Sequence, residues 1–175
     1  MNTNLLFEFS VNKENNTIEI QREFDANLDL VWKAWTTPEL LNQWEGPKPW
    51  RSETKTMDFR EGGFRLYAMV SPEGEKHWGR IDYKKIEIKK RILETKTFCD
   101  ENGNIQPQIP HSLWNNLFSE QENKSTVNIL IQYENAEHME AIVKMGFKEG
   151  MAVVVKNLDE LLSNLKNEQN EKFSI

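Results

Sequence analysis

A chain of 175 residues, 38% apolar and 29% charged, can bury one sizeable core, and its nine Phe, six Trp and three Tyr exclude a disordered composition. The formal charge of −6 sets the surface against a phosphate backbone, so nucleic acid is not an expected partner. The N-terminus lacks a basic start and a signal-like apolar stretch, no run of ~18 apolar residues occurs, and Cys99 is the single cysteine; these features predict a cytoplasmic chain with no membrane span and no intrachain disulfide.

Leu5–Val11 is apolar, residues 12–16 have turn composition, and Thr17–Phe24 alternates Ile18, Ile20 and Phe24 with polar neighbours, the pattern of an antiparallel hairpin. Asn27 suits a helix N-cap, and Leu28, Val31, Trp32 and Trp35 then recur on one helical face. Thr37-Pro38-Glu39 restarts a short helix with Leu40, Leu41 and Trp44, which Gly46-Pro47-Lys48-Pro49 must end. Strands are expected at about 51–59, 63–70, 76–87, 91–99, 112–119 and 125–133, joined by short turns as an antiparallel meander. In the last of them Val127, Ile129, Ile131 and Tyr133 face inward. Gly62-Gly63 reads as a tight strand connection.

Met139, Ile142 and Val143 form a short helical stripe ending near Gly146, and Phe147, Met151, Val154, Val155, Leu158, Leu161, Leu162 and Leu165 continue at helical spacing. Gly146 reads as a helix boundary and Gly150 as a point of close approach. One domain over 1–166 is expected, followed by a polar tail, 167–175, that frays. The resulting fold class is α+β, a curved antiparallel sheet gripping a long C-terminal helix, with two short helices near the N-terminus.

Several segments together resemble one known family: FEFSVNKENNTIEIQREFDA, VWKAWTTPELLNQW, MDFREGG, YAMVSPEGEKHWGRIDY, FCDENGN, and MGFKEG followed by NLDELL. The chain is similar over nearly its whole length to the activator of heat-shock-protein-90 ATPase homologue family of the START-like (SRPBCC) superfamily. The W-x-A-W-T-x-P-E-x-L and D-F-R-x-G-G segments are specific in combination. The resemblance implies the helix-grip fold, with about seven strands around a hydrophobic cavity. Asn27 stands where such proteins usually have Pro, and Glu45 where a second Trp is common.

No nucleophile elbow, phosphate loop or zinc-ligand spacing is present, so neither a cofactor, a metal nor a catalytic set is predicted. His111 is expected in a loop and His138 on a polar helix face; His77, beside Trp78, is the histidine that could turn toward a cavity. The candidate cavity set is Trp35, Trp44, Tyr67, Met69, His77, Trp78, Arg80, Ile81, Trp114, Phe147, Met151, Val154 and Leu158, with Trp44 and Glu45 near an entrance. Trp78 and Ile81 have opposite parity, so an unbulged strand presents only one of them inward. For Arg80, a ligand anion or Asp58 is a possible partner, with a surface-facing side chain as the plainer alternative. Three functions remain open: binding a small apolar molecule in the cavity, docking on a chaperone to stimulate its ATPase, or cyclase- or hydrolase-like catalysis in the same space. The ligand and the oligomeric state are not legible in the sequence.

Overall fold

The computed structural model describes residues 5–173. Twelve elements follow in chain order: strands β1 (Phe7–Asn12) and β2 (Thr17–Phe24), helices α1 (Leu28–Thr36) and α2 (Pro38–Trp44), then strands β3 (Arg51–Met57), β4 (Phe64–Val70), β5 (Lys76–Glu87), β6 (Arg91–Phe98), β7 (Ser112–Gln121) and β8 (Lys124–Tyr133), and finally helices α3 (Ala136–Lys144) and α4 (Phe147–Phe173). The strands form one eight-stranded antiparallel sheet in the order β1-β2-β8-β7-β6-β5-β4-β3. β3 to β8 are the expected meander, and the long-range step is β8 pairing with β2, Ile131 opposite Ile18 and Ile129 opposite Ile20.

Alternation decides which face is covered. Ile18, Ile20 and Phe24 on β2, Ile81 and Tyr83 on β5, Ile92 on β6, and Val127, Ile129, Ile131 and Tyr133 on β8 share one core with Leu30, Val31, Ala34, Leu41 and Trp44 from α1 and α2 and with Val154, Val155, Leu158, Leu161 and Leu162 from α4. α4 crosses the sheet with this stripe down. Two polar contacts pin it there: Arg22 of β2, 8% exposed, meets Asp159 at 2.5 Å, and the buried Asn157 side chain donates to Gly46 O at 3.0 Å.

The helix starts have local causes. Asn27 Oδ1 accepts from Leu30 N at 3.0 Å, so Asn27 caps α1 as expected. Thr37 caps α2 through its backbone carbonyl alone, with Pro38 in the first turn. Asn135 caps α3 by accepting from His138 N at 2.8 Å. Gly146, at φ 91°, separates α3 from α4 as expected. Gly150 differs from expectation: nothing lies within 4 Å of where its Cβ would stand, so no partner approaches the helix there. The polar segment from Asn167, for which fraying was expected, is helical to Phe173.

Gly62-Gly63 is the tight connection its sequence suggested. Gly62 has φ 84°, and a Cβ on Gly63 would stand 2.1 Å from Asp58 O. The reversal seats Phe59 4.9 Å from the Tyr83 ring and 6.0 Å from the Trp32 ring.

Leu158 is fully buried at the centre of the grip. Leu158→Ala should cost about 2–5 kcal/mol in chemical denaturation, because the sheet cannot collapse into the space left. An unchanged midpoint would show that α4 does not seal the core.

Candidate functional site

The inward face divides into two zones. Around α1 and α2 it is filled by packed rings: Trp35 lies 4.7 Å from Trp44, 5.5 Å from Phe118 and 6.2 Å from Phe24, ring to ring. Trp44 is 4% exposed and its Nε1 donates to Ala34 O at 3.0 Å. The entrance expected at Trp44 and Glu45 is therefore absent, since that end is sealed by Asn157 and by the ion pair of Glu45. Ile81, Val154 and Leu158 are likewise buried core.

The second zone spans β4 to β7 under the first turns of α4. Cross-strand register aligns Arg65, Ile81, Lys96 and Ser112 in one row and Tyr83, Glu94 and Trp114 in the next. Tyr67, Met69, Trp114, Phe147 and Met151 are only half-buried here, and Phe98, two residues beyond Lys96, is 58% exposed. Trp114 and Phe147 meet edge to face at 6.1 Å, which joins β7 to the start of α4. Tyr67 lies flat across β5, where a Cβ on Gly79 would stand 2.7 Å from its Cζ and Oη. Only a glycine leaves room for that ring.

Polar groups line this zone. Arg65, 1% exposed, reaches Glu45 Oε1 at 2.5 Å, Thr54 Oγ1 at 3.1 Å and Ser52 Oγ at 3.2 Å, with its guanidinium 4.6 Å over the Tyr67 ring. Burial opposes its charge, but Glu45 outweighs that and raises the Arg65 pKa. Glu94, 5% exposed, accepts from Asn116 Nδ2 at 3.1 Å and lies 3.9 Å from Lys96 Nζ. Burial is the main cause pushing its pKa above the ordinary carboxylate range, against the opposing pull of Lys96. Burial likewise raises the phenols of Tyr67 and Tyr83.

His138 Nδ1 is the one side-chain polar atom among the described residues that is both closed to solvent and unpartnered. Tyr67 Oη, Tyr83 Oη and Glu94 Oε2 have no protein hydrogen bond among those residues either, so each borders space that water can reach.

Other expected site residues lie elsewhere. Trp78 and Arg80 point from the outer face of β5, as their parity relative to Ile81 requires. Trp78 sits between Lys55 and Lys76, and Arg80 pairs with Asp82 at 3.0 Å and lies 4.3 Å over Phe64; Asp58 pairs with Arg60 instead. The turn after β6, with Asp100 Oδ1 accepting from Asn102 N and Asn104 N, folds over this face and brings Gly103 O to 3.2 Å from Arg80. An open cleft of about 670 Å³, lined by Asp82, Lys84, Thr95 and Thr97 among others, lies on the same outer side. His77 is exposed, 3.3 Å from Glu75 and 5.4 Å from the Trp50 ring. His111 is exposed beside Glu134 at 3.1 Å. His138, expected in solvent, is half-buried with its ring 5.1 Å from Tyr133, and burial lowers its pKa. Among the described residues no group of three or more His, Cys, Asp or Glu side chains is arranged to hold a metal ion, and no helix is long and apolar enough to cross a membrane.

Removing Glu45 alone would leave the Arg65 charge buried and unpaired. Glu45→Ala should destabilise by roughly 3–5 kcal/mol, and the double change Glu45→Leu, Arg65→Met should restore most of that loss in the same denaturation assay. A second outcome concerns pH. The folded state holds the Glu94 proton more tightly than the unfolded chain, so the stability this group contributes is full below the ordinary Glu range and lost as pH rises through its raised value. Glu94→Gln should therefore match the parent in the acid range and gain on it as pH rises; parallel stability curves would show that Glu94 titrates normally.

Solved structures share this architecture. A protein from Arthrobacter aurescens is 29% identical with TM-score 0.83, covering 90% of this chain and 91% of that one. A Mycobacterium smegmatis protein is 25% identical with TM-score 0.81, covering 90% and 96%. One from Staphylococcus epidermidis, 23% identical with TM-score 0.79 over 89% and 94%, shares the fold. No curated protein matches the chain. The family model described as activator of Hsp90 ATPase homolog 1-like protein matches residues 25–163, and that stretch includes α1, α2, β3 to β8, α3 and the buried stripe of α4. The chain belongs to the activator of Hsp90 ATPase homolog 1-like family.

Proposed function

We propose that this protein binds a small molecule with an apolar body between β4–β7 and the first turns of α4. The observation that carries this reading is the pairing of half-covered apolar side chains, Tyr67, Met69, Trp114, Phe147 and Met151, with polar atoms that have no protein partner among the described residues, on Tyr67, Tyr83 and Glu94. A solid core would cover the first set and exclude the second. Apolar walls with a few unclaimed polar groups are what small-molecule sites use. Tyr67 adds to the case: it is deep enough for burial to raise its phenol, yet part of its surface is left open. Of the expected cavity residues, Tyr67, Met69, Trp114, Phe147 and Met151 belong to this site.

The family's description names activation of the Hsp90 ATPase. The polar groups used here lie inside the grip, where a folded partner's surface does not reach, and this favours a small molecule over a chaperone. An enzyme acting in the same space is the second reading. Glu94 gives it a titratable carboxyl beside two phenols, and turnover lost in Glu94→Gln would mark that reading as the correct one.

Native mass spectrometry of the purified protein should show a retained small molecule. A library of long-chain and aromatic compounds should raise the melting temperature, by a stabilisation on the order of 2.7 kcal/mol at a hundredfold excess over Kd. Met151→Trp fills the space beside Phe147 and should abolish the shift while the fold persists. No retained mass and no shift across the library would mean that the zone is only a loosely packed part of the core.

A further inference from the structure

We propose that the group recognised at this site is a carboxylate, so that the ligand is an amphipathic monocarboxylic acid whose head meets Lys96 and the hydroxyls of Tyr67 and Tyr83. This rests on the small-molecule reading above and narrows it to one chemical class.

The argument is an inventory of charge and donors on the inward face. Arg65 is unavailable: Glu45 neutralises it at 2.5 Å, and Thr54 and Ser52 take further donors. Lys96 is different. Its ammonium lies 3.7 Å over the Trp114 ring, its side chain is 24% exposed, and its nearest carboxylate oxygen, Glu94 Oε1, is 3.9 Å away, beyond hydrogen-bond distance. Among the described residues its three N–H donors have no hydrogen-bond acceptor.

Glu94 does not cancel that charge fully, because it stands beyond hydrogen-bond distance and burial, which raises its pKa, disfavours its charged form. Tyr67 lies across Gly79 and Tyr83 stands opposite Glu94, so the two tyrosines belong to the cross-strand rows that flank the row of Lys96. Among the described residues Lys96 is thus the cation on this stretch of the inward face whose donors are left unclaimed. An acceptor-rich anion complements them, whereas an amine would face Lys96 as a like charge. The apolar body then runs along Trp114, Phe147 and Met151.

The test uses the full chain and three probes of equal length, decanoate, decan-1-ol and decylamine, titrated by calorimetry. Decanoate should bind at least about tenfold more tightly than decan-1-ol, a difference of one decade in Kd. Lys96→Met should bring decanoate down to the level of decan-1-ol. Tyr67→Phe, which keeps the ring on Gly79, should weaken decanoate severalfold and serves as the check if Lys96→Met does not fold. Equal binding of acid and alcohol, tighter binding of decylamine, or an acid preference that survives both substitutions overturns the carboxylate assignment and leaves the small-molecule reading standing. Binding of none of the three overturns both.

Discussion

A curved sheet of eight strands has one concave face, and that face must be covered along its whole length by helices. α4 provides most of the cover, with Val154, Val155, Leu158, Leu161 and Leu162 pressed on the sheet and Arg22–Asp159 and Asn157–Gly46 fixing its position. α1 and α2 fill the remainder at one end with Trp35 and Trp44. At the other end only the first turns of α4 are present, carrying Phe147 and Met151, and Gly146 and Gly150 contribute no side chain there. The proposed site lies where helical cover runs short.

That shortfall explains why polar groups can be placed inside. An arginine with 1% exposure is tolerable only when its charge is paired and its donors are filled, which Glu45, Thr54 and Ser52 accomplish. Glu45, at the C-terminal end of α2, thereby couples that helix to β4 by an ion pair, and the Arg65 guanidinium lies 4.6 Å over the Tyr67 ring. Gly79 then has to be a glycine for the ring to lie down.

Much of the fold was legible because its signals are local and repeated. Strand parity marked Val127, Ile129 and Ile131; Asn27 and Thr37-Pro38 marked helix starts; and helical spacing from Phe147 to Leu165 marked α4. The site was less legible, for a physical reason. Glu94 and Lys96 alternate with Leu93, Thr95 and Thr97, so β6 shows no clear inward face, and charged residues in a strand read as wet unless their cross-strand neighbours are known. Arg65 and Glu45 are 20 residues apart, and no periodicity links them. Trp78 and Arg80 misled in the opposite sense: their residue types suit a pocket, but the parity already noted against Ile81 sends them outward, where the turn from Asp100 to Asn104 shelters them. His138 went unread because burial came from the Tyr133 ring, a neighbour outside its own helix.

The two zones of the inward face also separate what stability needs from what recognition needs. Trp44, Phe24 and Phe118 each meet the Trp35 ring, and Asn157 fixes α4 on the Trp44–Gly46 backbone beside them, so changes there act on the whole fold. Lys96, Tyr67 and Trp114 each sit in a paired stretch of the β4–β7 ladder, so their side chains can vary without breaking it. Structures 23 to 29% identical to this chain keep the same architecture with TM-scores of 0.79 to 0.83. Such retention is expected when the grip is carried by ladder pairing and the α4 stripe, which leaves the few polar residues under its first turns free to vary with whatever the proposed site would bind.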